Sequence, residues 1–223
     1  MGRTRLAIGL GVVVSLALAS CGTAATATST STTTSTTGAT TGTTTTTTTT
    51  KTTTVPAALA CARAVVSTWS VGRLANETIS VSVNALNIAA LAPAARAGYG
   101  GILLFGTTAP ANFASTVATL QRETPDRYAM LVMTDQEGGG VERLTNLVAT
   151  LPWAQTMGKN LTPAGITAEG LRVGRSMKLA GINTDLAPVA DVDGRAVYPG
   201  EQDPDGFRSF SGVPAQAAAD AVA

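Results

Sequence analysis

Histidine is absent from this chain of 223 residues. That absence excludes a Ser-His-Asp or Cys-His catalytic arrangement and any His-ligated zinc site within these residues. Charge is scarce as well: 13% of residues are charged and the formal net charge is +1, so the overall balance does not point to nucleic acid or an acidic polymer as partner. There are 2 cysteines, Cys21 and Cys61. Between Gly22 and Thr54 there is almost nothing but Thr, Ser, Ala and Gly, including the unbroken run Thr43 to Thr50. Such a tract has no large apolar side chain whose burial could offset the entropy of ordering its backbone, so a disordered stalk is expected there, bare or O-glycosylated.

The N-terminus has the layout of an export signal. Arg3 and Arg5 precede an apolar segment, Leu6 to Leu18, that is too short to span a bilayer comfortably. Leu18-Ala19-Ser20-Cys21 then resembles the bacterial lipobox, in which the cysteine is lipidated and becomes the mature N-terminus. The expectation is an exported protein anchored to the membrane through Cys21, with residues 1–21 as signal, 22–54 as linker and 55–223 as the folded part. An ordinary cleaved signal with an incidental Cys21 is the other reading. Cys61 then has no partner in the mature domain, which suggests a free thiol, an intermolecular bridge or a missing partner.

From Pro56 onward, helical and strand patterns alternate. Ala57 to Trp69 reads as a short helix and Thr78 to Val83 as a first strand. Ile88 to Ala97 reads as a helix closed by Gly98. Gly100 to Gly106 is an apolar run bounded by glycines, hence a second, buried strand. Asn112 to Glu123 carries Phe113, Val117 and Leu120 at helical spacing and ends before Pro125. The apolar run Ala129 to Met133 is a third strand, and it stops at Asp135 and Glu137, followed by Gly138, Gly139 and Gly140. A long loop through Pro152 and Trp153 leads to a helix over Pro163 to Leu179, with Thr162 and Pro163 as its N-cap and first residue and Gly181 as its stop. Ile182 to Val192 is read as a fourth strand ending in Asp191 and Asp193, and Ala215 to Ala223 begins another helix.

Repeated βα units imply a parallel α/β fold in which carboxylates stand at the C-terminal rim, where such folds hold their ligands. A complete eight-unit barrel needs about 250 residues. The part after Val55 is therefore expected to be about the first four βα units of a TIM-type (β/α)8 barrel, truncated before the rest.

Four motifs carry a specific resemblance: Gly100-Gly101-Ile102-Leu103-Leu104-Phe105-Gly106, Thr134-Asp135-Gln136-Glu137-Gly138-Gly139, Ala187-Pro188-Val189-Ala190-Asp191-Val192 and Arg208-Ser209-Phe210-Ser211. In this order and spacing they resemble glycoside hydrolase family three, above all its single-domain bacterial β-N-acetylglucosaminidase branch and its actinobacterial lipoprotein members. The resemblance covers Leu74 to the end. It implies a carbohydrate substrate, hydrolysis of β-linked N-acetylglucosamine from cell-wall glycans with retention of configuration, and no metal or other cofactor. It assigns substrate binding to Asp135, which would accept hydrogen bonds from sugar hydroxyls, and to Arg143 and Arg208, which would line the pocket.

Three departures accompany the resemblance. Gly140 stands where many members have Arg, and Phe207 stands where the family usually has an Asp before the arginine, which removes the expected anchor of Arg208. The family's Lys-His motif, His-Asp acid/base dyad and nucleophilic Asp have no counterpart before Ala223, so no catalytic group is expected in this chain. An inactive, surface-anchored glycan-binding protein is the alternative.

Blander or competing readings exist for the same residues. Asp135 could simply cap its loop, Glu137 could serve to hold that loop, and Trp69 and Trp153 read as packing residues, with stacking on a sugar face the lesser reading for Trp153. Calcium is disfavoured at Asp191, Asp193, Glu201, Asp203 and Asp205, because the glycine of an EF-hand falls sixth and here it falls fourth. A phosphate cradle at Gly138 lacks the following Lys-Ser/Thr, and Asp135 and Glu137 would repel the anion.

Overall fold

In the computed structural model, residues 25–35, 45–125 and 128–223 are described. Cys21 and the export signal lie outside them. The chain divides into two compact units, Met1–Trp69 and Ser70–Ala223.

In the first unit, strand β1 (Ala25–Ser35) pairs antiparallel with β2 (Thr45–Val55), in a register running from Ala25 opposite Val55 to Ser35 opposite Thr45. This differs from the disordered stalk expected over 22–54. Threonine is β-branched and favours extended backbone, and pairing two Thr-rich segments satisfies their amides without needing an apolar core. Helix α1 (Ala57–Val66) follows Pro56. Cys61, on this helix, is disulfide-bonded, which removes the free-thiol reading.

The second unit contains a four-stranded, wholly parallel sheet whose spatial order is the chain order: β3 (Ser80–Asn84), β4 (Gly101–Phe105), β5 (Leu131–Thr134) and β6 (Thr184–Asp185). Registers run Ser80 opposite Gly101, Gly101 opposite Leu131 and Met133 opposite Thr184. This is the partial α/β barrel implied by the repeating βα pattern.

Helix boundaries follow local signals. Helix α2 (Val71–Glu77) starts at Ser70, whose hydroxyl accepts from the Arg73 amide. A 3-10 segment, Ala85–Leu91, runs into α3 (Ala92–Ala97), which ends at Gly98 in the left-handed conformation. Helix α4 (Phe113–Glu123) links β4 to β5, and α5 (Ala154–Asn160) and α6 (Pro163–Ala180) link β5 to β6. Thr162 caps α6 by accepting from the Gly165 amide, and left-handed Gly181 ends it. Helix α7 (Pro214–Ala221) follows the last loop.

The central core lies between the sheet and these helices, where Ile88, Ile102, Leu104, Phe113, Val117, Leu120 and Val132 are essentially inaccessible to solvent. Burying a side chain of this size stabilises the fold by about 1.5–3 kcal/mol. The fourth strand is far shorter than the expected Ile182 to Val192. Pro188 has no amide to donate, and among the described residues no strand pairs with the outer edge of β6. Asp191 and Asp193 consequently sit in a loop rather than at a strand end.

Candidate functional site

The site is built at the C-terminal ends of β4, β5 and β6. Thr134, the last residue of β5, is fully buried, and Asp135, Gln136 and Glu137 follow it directly. Gln136 is the hub of the loop. Its side chain is 1% exposed; it donates to the Ala149 carbonyl (3.2 Å) and accepts from the Arg143 amide (3.0 Å). Its own amide donates to the Asp185 carboxylate at 2.9 Å, tying the end of β5 to the end of β6.

Two acid–guanidinium pairs stand on this loop. Asp135 and Arg143 approach to 3.4 Å, each with about 21% of its side chain exposed. The Arg143 guanidinium lies 5.5 Å from the Phe105 ring centre, at the end of β4, and its Nε is buried without a hydrogen-bond partner. The contact is long for a charge-assisted bond, so both groups retain capacity for another partner. Glu137 and Arg208 form a tighter, two-pronged pair at 2.6 and 2.9 Å, and Arg208 also donates to the Pro204 carbonyl. The Glu137 carboxylate raises the Arg208 pKa, so the guanidinium stays charged.

The structure places the three residues expected to bind sugar on one loop system. Asp135 and Arg143 come together, and Arg208 joins the same loop through Glu137. Arg208 therefore does not depend on the residue before it for its anchor. Phe207, in the expected place of an aspartate, instead packs with Trp153 and Tyr198 at ring-centre distances of 5.9 and 5.2 Å.

Asp185 was not singled out by the sequence, because it falls inside the run read as the fourth strand. Its carboxyl is pushed above the ordinary 3.8 chiefly by burial; the Gln136 amide opposes that rise, while Asp135 and Glu137 add to it. The cue that could have found it was Pro188, which argues for a strand end before the Asp191 position.

The turn after Glu137 is dictated by glycine. Gly138 and Gly139 have φ of +98° and +60°, and a Cβ on Gly139 would lie 2.0 Å from the Trp153 ring. Trp153 therefore sits directly on the turn. Farther out, Arg195 bridges Asp193 (3.3 Å) and Asp203 (3.0 Å), and hydrogen bonds led by the Arg195 amide hold Asp193 down to about 2. Two of the five loop acids, Asp193 and Asp203, are thus engaged by an arginine.

A cavity of about 560 Å³ lies beside this rim, between α6, β6 and α7. Glu137, Gln136 and Asp185 reach its edge, but its walls are mostly apolar, with Ile166, Val173 and Met177 of α6, and Asp135, Arg143 and Arg208 do not line it. A sugar needs convergent donors and acceptors, which the two ion pairs offer and the apolar cavity does not.

Comparison with known proteins places this geometry in a family. The family profile described as "Glycosyl hydrolase family 3 N terminal domain" matches residues 76–223. Among solved structures, a GH3 family glycosyl hydrolase from Mycobacterium smegmatis aligns at TM-score 0.60 and 25% identity, over 70% of this chain and 46% of that one. LpqI of M. tuberculosis aligns at 0.59 and 27%, over 71% and 45%. A β-N-acetylhexosaminidase from Beutenbergia cavernae aligns at 0.57 and 26%, over 69% and 48%. The chain thus spans a little under half the length of each of these relatives. A search of curated protein sequences returned no match.

Proposed function

This chain belongs to glycosyl hydrolase family 3, and from that premise we propose that it forms the sugar-binding part of an enzyme that removes β-linked N-acetylglucosamine from cell-wall glycans. The observation that carries the reading is the placement of two carboxylate–guanidinium pairs, Asp135–Arg143 and Glu137–Arg208, on the rim of a parallel sheet. The β-N-acetylhexosaminidase relative supports the choice of sugar. In this reading Asp135 accepts from sugar hydroxyls while Arg143 donates, and Arg208, held by Glu137, donates as well. Retention of configuration requires an acid/base group and a nucleophile flanking the scissile bond. We assign both to residues outside these 223: the His-Asp dyad of this branch needs a histidine and the chain has none, and the family resemblance puts the nucleophilic Asp later still.

The test has two arms. Calorimetric titration of this chain with N-acetylglucosamine is expected to show binding that Asp135→Ala abolishes, while an aryl β-N-acetylglucosaminide incubated with it is expected to release no chromophore. The protein extended by the coding sequence downstream of codon 223 is expected to release it. Failure of the extended protein on that substrate rejects the substrate assignment, and turnover by the 223-residue chain rejects the division of labour. The lack of histidine also favours a second reading, a glycan-binding protein without turnover, which predicts the same titration with no activity in either form.

The exported, membrane-anchored location is part of the same proposal and rests on the lipobox-like residues before Cys21. No helix among the described residues is long and apolar enough to cross a membrane. More than one acyl chain on Cys21 would anchor stably, each buried CH₂ contributing about 0.8 kcal/mol. Mass spectrometry of the mature N-terminus, read for a lipid thioether on Cys21, tests this location.

A further inference from the structure

The chain has few aromatic residues, 2 Trp, 3 Tyr and 4 Phe, and three of them meet at the rim. Trp153, Tyr198 and Phe207 form a closed set with ring centres 5.2 to 6.0 Å apart. Tyr198 meets Phe207 at 90° and Trp153 at 75°, the edge-on geometry that aromatic quadrupoles favour. Phe207 and Trp153 are partly buried, but Tyr198 is 75% exposed. A ring held by two others and still turned to water is not a core residue.

The loop carrying Tyr198 is fixed on both sides. The Phe207 amide donates to the Val197 carbonyl at 3.0 Å, and Gly206, at φ +45°, lets that carbonyl come closer than any Cβ would allow. At the other end the cluster rests on the sugar-loop turn, since Trp153 lies over Gly139 and Phe207 precedes Arg208, the partner of Glu137. The exposed ring is therefore held in place before any ligand arrives, and it is coupled to both ends of the acid–guanidinium site.

We infer that Tyr198, braced by Trp153 and Phe207, is a stacking platform for a second pyranose ring, so that the site binds a β-linked oligosaccharide in preference to a single sugar. The chemistry fits the surface. One face of a β-linked pyranose presents C–H groups, which the electron-rich face of an aromatic ring attracts, while its equatorial hydroxyls stay in water. An ordered ring loses little conformational freedom on binding, which favours affinity. This inference rests on the reading of Asp135 and Arg143 as a sugar site, and adds to it a residue that selects for chain length.

Calorimetric titration of the 223-residue protein with N-acetylglucosamine and with its β-1,4-linked trisaccharide tests it, in the parent and in Tyr198→Ala, Tyr198→Phe and Asp135→Asn. The trisaccharide is expected to bind about ten-fold more tightly than the monosaccharide in the parent, a preference that stacking of one ring can supply. Tyr198→Ala should lose that preference and leave monosaccharide affinity unchanged, Tyr198→Phe should keep it, and Asp135→Asn should weaken both sugars. Quenching of tryptophan fluorescence by the trisaccharide and not by the monosaccharide gives a readout in the parent that needs no variant. Unchanged trisaccharide preference in Tyr198→Ala overturns the stacking role while leaving the sugar site intact. A parent that binds neither sugar overturns the sugar site itself, and the inference with it.

Discussion

The setting of Asp185 carries a cost to the fold at neutral pH. Its carboxyl is pulled out of water beside Asp135 and Glu137, and its pKa is raised above 3.8 as a result. A group with a raised folded pKa contributes most below its unfolded value, and that contribution is lost as pH rises through the folded value. Asp185→Asn keeps an oxygen to accept from the Gln136 amide and removes the desolvated charge. The variant is expected to melt at a higher temperature than the parent at pH 7, with the two converging below about pH 3.8. Equal melting temperatures at pH 7 would contradict the burial argument. At this scale the sequence drew attention to Asp135 and Arg208 because a motif contains each of them, and to Arg143 because it trails one, and the structure pairs Asp135 with Arg143 and Arg208 with Glu137. Asp185 and Gln136 were not legible in the sequence, since their roles arise from hydrogen bonds between segments 49 and 13 positions apart.

Among the elements, the turn Gly138–Gly139 decides whether the loop can close on Trp153. Gly139→Ala would place a methyl inside the indole at a backbone angle that disfavours a side chain. A loss of about 2 kcal/mol or more is expected, read as a lowered urea midpoint with unchanged slope, and an unshifted midpoint would show that the turn can rearrange. Strands β4 and β5 and helices α4 and α6 could be read from the chain because period, caps and glycine stops agree there. Helices α2 and α5, of 7 residues each, carry too little periodicity to be read, and α5 lies in what looked like loop. The strand at Ile182 was overextended because apolar residues continue past Asp185 although the pairing does not. The hairpin β1–β2 runs against composition, since a Thr-rich tract has the preference for extended backbone but none of the alternation that marks a buried face.

At the scale of the whole sheet, β3 and β6 are its outer strands among the described residues. An unpaired parallel edge offers amides and carbonyls to another chain. Sedimentation velocity on this 223-residue chain is expected to show association that grows with protein concentration, and a concentration-independent monomer would contradict it. The β-α alternation made the parallel sheet legible in advance, but the position of the cavity beside β6 was not, because it depends on how α6 and α7 pack rather than on any local pattern. The strand order β3-β4-β5-β6 matches the order of synthesis. A sheet assembled in this order adds each strand beside its predecessor in the chain, and none has to be threaded later between two that have paired. A nascent chain of this design grows its sheet at a single advancing edge.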